Sequence, residues 1–121
     1  MTESKINLKS KLESIKDYWS PKVIAELNDY QFKLAKIKDE FIWHEHNDTD
    51  EAFIVIEGNI EIKLEDRTIE LSEGEMFVVP KGAKHKPIAR GEAHIMLIEP
   101  REVKNTGDIE NELTAKNDIW I

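Results

Sequence analysis

With 121 residues and no cysteine, the chain has room for one domain and excludes a disulfide scaffold, a thiolate metal site, an iron–sulfur cluster and a cysteine nucleophile. Its 17 Lys and Arg against 25 Asp and Glu leave a net charge of −8, so it lacks the basic stripe that a phosphate backbone requires, and neither nucleic acid nor membrane is expected as a partner. The longest apolar run, residues 52–56, is too short to cross a bilayer and residues 1–7 lack the apolar core of a signal peptide, which predicts a cytoplasmic protein.

From Asn7 to Tyr18 the apolar residues Leu8, Leu12 and Ile15 recur at helical spacing, and Ser20-Pro21 breaks the pattern. One short amphipathic helix is therefore expected within an N-terminal lead-in, residues 1–20. Residues 21–104 read as a run of short strands: 22–27, 30–38, 41–46, 51–57, 59–65, 68–71, 76–79 and 94–99. Between them stand turn signals at Asn28-Asp29, Gly58-Asn59, Glu65-Asp66, Ser72-Glu73-Gly74, Lys81-Gly82 and Arg90-Gly91. Connections this short leave no room for helical crossovers, so the expected fold is all-β with antiparallel pairing. The remaining residues, 105–121, end in Asp118-Ile119-Trp120-Ile121, too apolar for a free tail. They are expected to dock on the barrel or on a partner.

Alternation assigns the faces. Ile60, Ile62 and Leu64 alternate with Glu61, Lys63 and Glu65, which gives that strand one wet side. Residues 52–56 are apolar on both sides, with Phe53 and Val55 on one and Ala52, Ile54 and Ile56 on the other. The second side needs a cover, either the N-terminal helix or another copy of the chain, and a homodimer is the expected assembly.

Three of the four histidines fall in two short segments. In Trp43-His44-Glu45-His46 the histidines stand at i and i+2, which on a strand puts two imidazoles on one face roughly 6 to 7 Å apart. After the acidic turn Asn47-Asp48-Thr49-Asp50, Glu51 opens the next strand, and antiparallel pairing would return its carboxylate alongside the histidines. The second segment, residues 74–85, is a strand ending in Pro80-Lys81-Gly82 that delivers His85. Three imidazoles and a carboxylate form a set suited to a divalent transition metal: Fe, Mn, Co, Ni, Cu or Zn. Taken singly, each piece has a plain explanation as a solvated or satisfied side chain; the joint spacing favours the site. At period two from Glu51, Phe53 and Val55 are expected to line a pocket, together with Met76 or Val78 and, facing the same cavity, His94.

On these residues the chain resembles the cupins. Their first motif, Gly, five residues, His-x-His, three or four residues, Glu, six residues and Gly, is matched by His44, His46, Glu51 and Gly58, with Lys38 in place of the leading Gly. Their second, Gly, five residues, Pro-x-Gly, two residues, His, three residues and Asn, is matched by Gly74, Pro80, Gly82 and His85, with Ala89 in place of the final Asn. The segments Trp19–Asn28 and 105–108 are similar to those of small single-domain bacterial cupins. The resemblance implies a double-stranded β-helix, or jelly-roll, barrel holding its metal inside on His44, His46, Glu51 and His85.

The fold hosts many chemistries and selects none. The function expected is that of a metal-binding cupin, a metal-dependent enzyme on a small organic molecule, with isomerase, dioxygenase and lyase classes open. The alternative is a non-catalytic small-molecule binding or sensing module using the same pocket. The acidic turn and the presence of only Arg67, Arg90 and Arg101 disfavour an anionic substrate such as a sugar phosphate. Outside the ligand set, Tyr30 and His94 are the candidate proton donors or acceptors.

Overall fold

The computed structural model describes residues 4–107 and 110–121; residues 1–3, and the Asp108 end of the 105–108 segment, lie outside them. Asn7 caps helix α1 (Leu8–Ser14), its side-chain oxygen accepting the Ser10 N–H at 2.9 Å. Such a bond satisfies one of the free amides of the first turn. The helix stops well short of Tyr18. The Ser14 hydroxyl bonds back to the Lys11 carbonyl at 2.7 Å, and Ile15 is extended with ψ 127°. Only Leu12 and Ile15 are buried while Leu8 stays exposed, so packing supports two turns and no more.

Among the described residues seven strands follow: β1 (Lys22–Leu27), β2 (Tyr30–Glu40), β3 (Glu51–Glu57), β4 (Ile60–Leu64), β5 (Thr68–Leu71), β6 (Met76–Val79) and β7 (His85–Pro100). Every pairing between them is antiparallel. The order is β1-β2-β7-β3-β6, with β4 joining β7 and carrying β5. Strand β7 is thus common to both halves of the barrel. Its later part lies between β2 and β3, and its earlier part pairs with β4. The parts meet at a bulge, where Lys38 faces Glu92 but Asp39 faces Ala89, leaving Arg90 and Gly91 out of the ladder. The turn expected at Arg90-Gly91 is therefore a bend within one strand. Gly91 takes φ +84°, and Ile88, Ala89, Ala93 and Ile95 remain buried on either side, so the strand carries through. The shared strand rolls the sheet into a jelly-roll barrel.

Gly58, between β3 and β4, has φ +90°, and a Cβ there would lie 3.0 Å from the Glu92 carbonyl oxygen and 3.1 Å from the Ala93 Cα. Only glycine brings that turn so close to β7. Residues 41–46 do not form the strand expected of them. Phe41 donates its N–H to the Pro87 carbonyl at 3.0 Å, yet the next pairing is an isolated bridge of His44 with His85. The chain advances by one residue more than its partner, and the ladder is lost.

The main core lies inside the barrel, where alternation directs Ile37, Phe53, Val55, Ile62, Val79 and Ile95 inward. A second cluster, Leu12, Ile15, Ile24 and Leu34, forms between α1 and the outer side of the sheet, with Ile56, Met96 and Ile121 packed against it. The helix thus covers the Ile56 end of the outer face. Ala52 and Ile54 stay half-buried, and Met76 and Val78, their partners on β6, are exposed. The chain end lies along β1: Val23 donates to the Ile119 carbonyl at 2.7 Å and Ile121 donates to the Val23 carbonyl at 3.1 Å. No helix among the described residues is long and apolar enough to cross a membrane.

Candidate metal centre

The bridge that ends the ladder builds the site. His44 and His85 exchange backbone N–H···O bonds at 3.0 and 2.9 Å, so their side chains stand on the same interior face. The turn that delivers His85 also holds His46: Gly82 donates its N–H to the His46 carbonyl at 2.8 Å, and Asp50 accepts the Lys81 N–H at 2.8 Å. Asp50 is thus a cap on this turn. Glu51 is not a hairpin neighbour of His46. It enters from the other wall, where its register opposite Val79 turns it inward with Phe53.

One ligand atom from each of His44, His46, Glu51 and His85 lies within 4.8 Å of all the others, and the four residues are buried. Backbone carbonyls orient two of the rings, Ile42 O at 2.9 Å from His44 Nδ1 and Ala83 O at 3.0 Å from His85 Nδ1. A carbonyl only accepts, so in a neutral ring Nδ1 carries the hydrogen and Nε2 presents a lone pair. Burial, reinforced by the neighbouring His85, lowers His44 to about 4, and the ring is neutral at pH 7. His46 Nε2, His85 Nε2 and Glu51 Oε1 are buried without any hydrogen-bond partner, although Glu51 Oε1 is 3.3 Å from His46 Nε2 and 3.4 Å from His85 Nε2. Buried acceptors aimed at one another cost free energy unless a cation joins them. Nitrogen and oxygen donors in this arrangement fit a divalent transition ion.

Behind Glu51 stands a polar group that sequence reasoning missed. Glu99 on β7 lies one step beyond the Ala52–Ile98 pair, opposite Glu51 on the same inward face, and accepts from Lys33 Nζ of β2 at 3.2 Å; all three are buried. Burial alone would raise Glu51, but its close contacts with Glu99, His46 and His85 outweigh it and hold its carboxyl well below the usual range. Burial and the adjacent Glu51 charge push Glu99 well above that range, against the pull of Lys33. The opposite shifts make Glu51 the first of the two carboxyls to ionise. The missed signal was a phase: Gln31 and Lys33 alternate in step with inward Ala35 and Ile37, and Glu99 with inward Ile95 and Leu97.

A cavity of about 30 Å³ adjoins His44 and Glu51, walled by Trp19, Phe41, Phe53, Ile95 and Leu97. Trp19 stacks on Phe41 with ring centroids 4.6 Å apart, and Asn105 adds one polar wall group. Engineered cavities that admit benzene measure about 150 Å³, so this one holds only a fragment of a ligand. His46 also borders a wider cleft of about 350 Å³ between the 47–49 loop and residues 102–107.

Of the other expected pocket residues, Phe53 lines the cavity, whereas Val55 belongs to the barrel core away from it. Met76 pairs with Ile54 and so points outward, exposed, and Phe77 takes the inward place. His94 also faces outward, because Ala93 and Ile95 hold the inward phase of β7; its Nδ1 lies 3.0 Å from Glu57 and its Nε2 2.7 Å from Glu92. Tyr30 is exposed at the start of β2 and does not line the cavity.

Comparison with known proteins gives a consistent result. A family model described as Cupin domain matches residues 31–99. The crystal structure of a cupin-2 domain containing protein from Shewanella frigidimarina NCIMB 400 is 57% identical, with TM-score 0.78 over 79% of this chain and 94% of that one. Protein NMB1881 from Neisseria meningitidis is 36% identical, with TM-score 0.74 over 80% of this chain and 99% of that one. The uncharacterized protein YdbB of Bacillus subtilis (strain 168) is 36% identical over 81 residues, 66% of this chain and 72% of its own length. The matched span contains both histidine segments and the whole inward run of β7 from His85 to Glu99, and the chain belongs to the cupin family.

Proposed function

We propose that this cupin is a metal-dependent enzyme acting on a small, uncharged organic molecule at the centre formed by His44, His46, Glu51 and His85. The observation that carries the reading is the set of buried acceptors without partners, converging beside an apolar cavity. A bound divalent ion would supply Lewis acidity there, with coordination positions left for substrate or water. The protein's own groups limit what can enter. Asn105 spends its amide on the Trp19 and Leu113 carbonyls and its oxygen on the Ala115 N–H. Lys33 is tied to Glu99 and to the Val103 carbonyl, and Arg90 and Arg101 pair with Glu61 and Glu26. Among the described residues no basic side chain lines the cavity to receive an anion, so recognition falls to the metal at one end of the ligand and to apolar contact at the other.

The test begins with metal analysis of protein purified without an affinity tag, followed by reloading with Mn, Fe, Co, Ni, Cu or Zn. Loaded protein should reach one ion per chain and convert members of a panel of small hydroxy-carbonyl and diketone compounds, with and without oxygen. Metal content that stays far below one per chain after reloading overturns the reading. A second reading has its own support: apart from the ligands His44 and Glu51, no titratable side chain among the described residues lines the cavity, so general acid–base catalysis lacks an obvious second group. Loaded protein that binds a small ligand tightly and returns it unchanged would establish a binding module instead.

A further inference from the structure

Three buried ionisable groups in a row connect the metal centre to the segment that borders both cavities beside it. Glu51 faces the histidines; Glu99 stands opposite Glu51, one step beyond the Ala52–Ile98 pair; Lys33 Nζ lies 3.2 Å from Glu99 and donates to the Val103 carbonyl at 3.2 Å. Val103 opens a strap, residues 103–107, that is held at both flanks of the site. On one flank Asn105 clamps the Trp19 carbonyl at 2.8 Å, and Trp19 walls the cavity. On the other, Gly107 packs so closely on the residue between the two ligand histidines that a Cβ there would lie 2.2 Å from the Glu45 carbonyl oxygen. A core without a polar task would place apolar side chains at positions 33 and 99, which lie on the inward faces of central strands.

We propose that Lys33 and Glu99 are positioning residues, a pair that orients the Glu51 carboxylate as a ligand and couples it to the 103–107 strap beside the cavities. The proposal rests on the metal-centre reading above. A buried carboxylate that is free to rotate loses part of its affinity for an ion, and groups that fix a ligand in this way are worth roughly ten- to hundredfold in metal affinity. Coupling also runs both ways: if strap docking helps Glu51 to ligate, ligation must help the strap to dock.

The experiment uses the full chain with Zn²⁺ for affinity, by chelator competition, and Co²⁺ for ligand geometry, by its visible spectrum. Glu99→Leu keeps the volume and removes the polar contact with Glu51 and the hydrogen bond from Lys33; Glu99→Gln keeps the shape with a donor and an acceptor. Lys33→Met removes the link to the strap. The expected result is a ten- to hundredfold loss of Zn²⁺ affinity with an altered Co²⁺ spectrum in Glu99→Leu and Lys33→Met, and near wild-type behaviour in Glu99→Gln. In wild type, Zn²⁺ should slow amide exchange across residues 103–107, and in Lys33→Met that protection should vanish. A purely space-filling role predicts that Glu99→Leu binds as wild type does, and that result overturns the proposal. Where Glu99→Leu or Lys33→Met does not fold, Glu99→Gln with the wild-type exchange experiment decides: a tenfold loss in Glu99→Gln, or no Zn²⁺ effect on the strap, overturns it. Wild-type protein that takes up no Zn²⁺ or Co²⁺ overturns the metal-centre reading and this one together, whereas wild-type binding with unaffected variants overturns this one alone.

Discussion

Strand β7 carries two histidines whose surroundings differ on every count. His85, ahead of the Gly91 bulge, is fully buried, with a backbone carbonyl at Nδ1 and no hydrogen-bond partner at Nε2. His94, beyond the bulge, faces the outer side with a carboxylate at each nitrogen, at 3.0 and 2.7 Å. A carbonyl at one nitrogen directs the other toward an ion, whereas carboxylates at both leave nothing to offer. The same residue type on the same strand is thus a ligand candidate in one place and a surface contact in the other, and strand phase makes the difference.

The hardest blow to this contrast should come from the interior side. His46→Ala is expected to lower Zn²⁺ affinity by roughly a hundredfold or more while the circular dichroism spectrum stays that of a folded β protein, because the barrel core holds the fold without the ion. Unfolding of that variant would show the site to be structural.

Next in size is a pH effect on the metal-free protein. His44 lies at about 4 when folded against 6.5 ordinarily, so between those values the unfolded chain binds the extra proton. Stability should therefore be complete above pH 6.5 and fall as the pH drops toward 4, by about 3 kcal/mol. Denaturant melts across this window measure it, and His44→Gln should flatten that part of the slope. An unchanged slope in the variant would assign the effect elsewhere.

Gly58→Ala places a Cβ against β7 at a positive φ and should cost about 1 to 3 kcal/mol in thermal or denaturant unfolding, with metal affinity per folded molecule unaltered. The smallest effects belong to the outer face. His94→Gln should change stability by less than about 1 kcal/mol and Met76→Ser by less than about 0.5 kcal/mol, neither moving Zn²⁺ affinity beyond about twofold. A tenfold loss of affinity in His94→Gln would break the division between the two sides of the strand.

Much of this was legible from local pattern. Strands β1, β3, β5 and β6 lie where alternation and turn residues put them, and the spacing of His44, His46, Glu51, Gly58 and of Gly74, Pro80, Gly82, His85 marks the segments that meet at the centre. What local pattern misplaced depends on partners distant in sequence. Met76 could be assigned inward only while its register against Ile54 was unknown. The Arg90-Gly91 pair has the composition of a turn, and pairing with β2 on both sides keeps the strand going. Nothing local marks Lys33 and Glu99 as partners; they meet only when β2 and β7 are laid side by side, 66 residues apart in the chain.

The sequence by itself determined an acidic, cysteine-free, antiparallel β chain with three imidazoles and a carboxylate at cupin spacing, because residue type, period two and turn chemistry are local properties. Tertiary structure alone decided which nitrogen His44 and His85 offer, which histidine is left outside, and that a buried Lys33–Glu99 pair stands behind Glu51. Those outcomes follow from register and burial. A one-residue shift in pairing reverses every side chain on a strand, and the cost of burying a charge exists only once the opposite wall is in place.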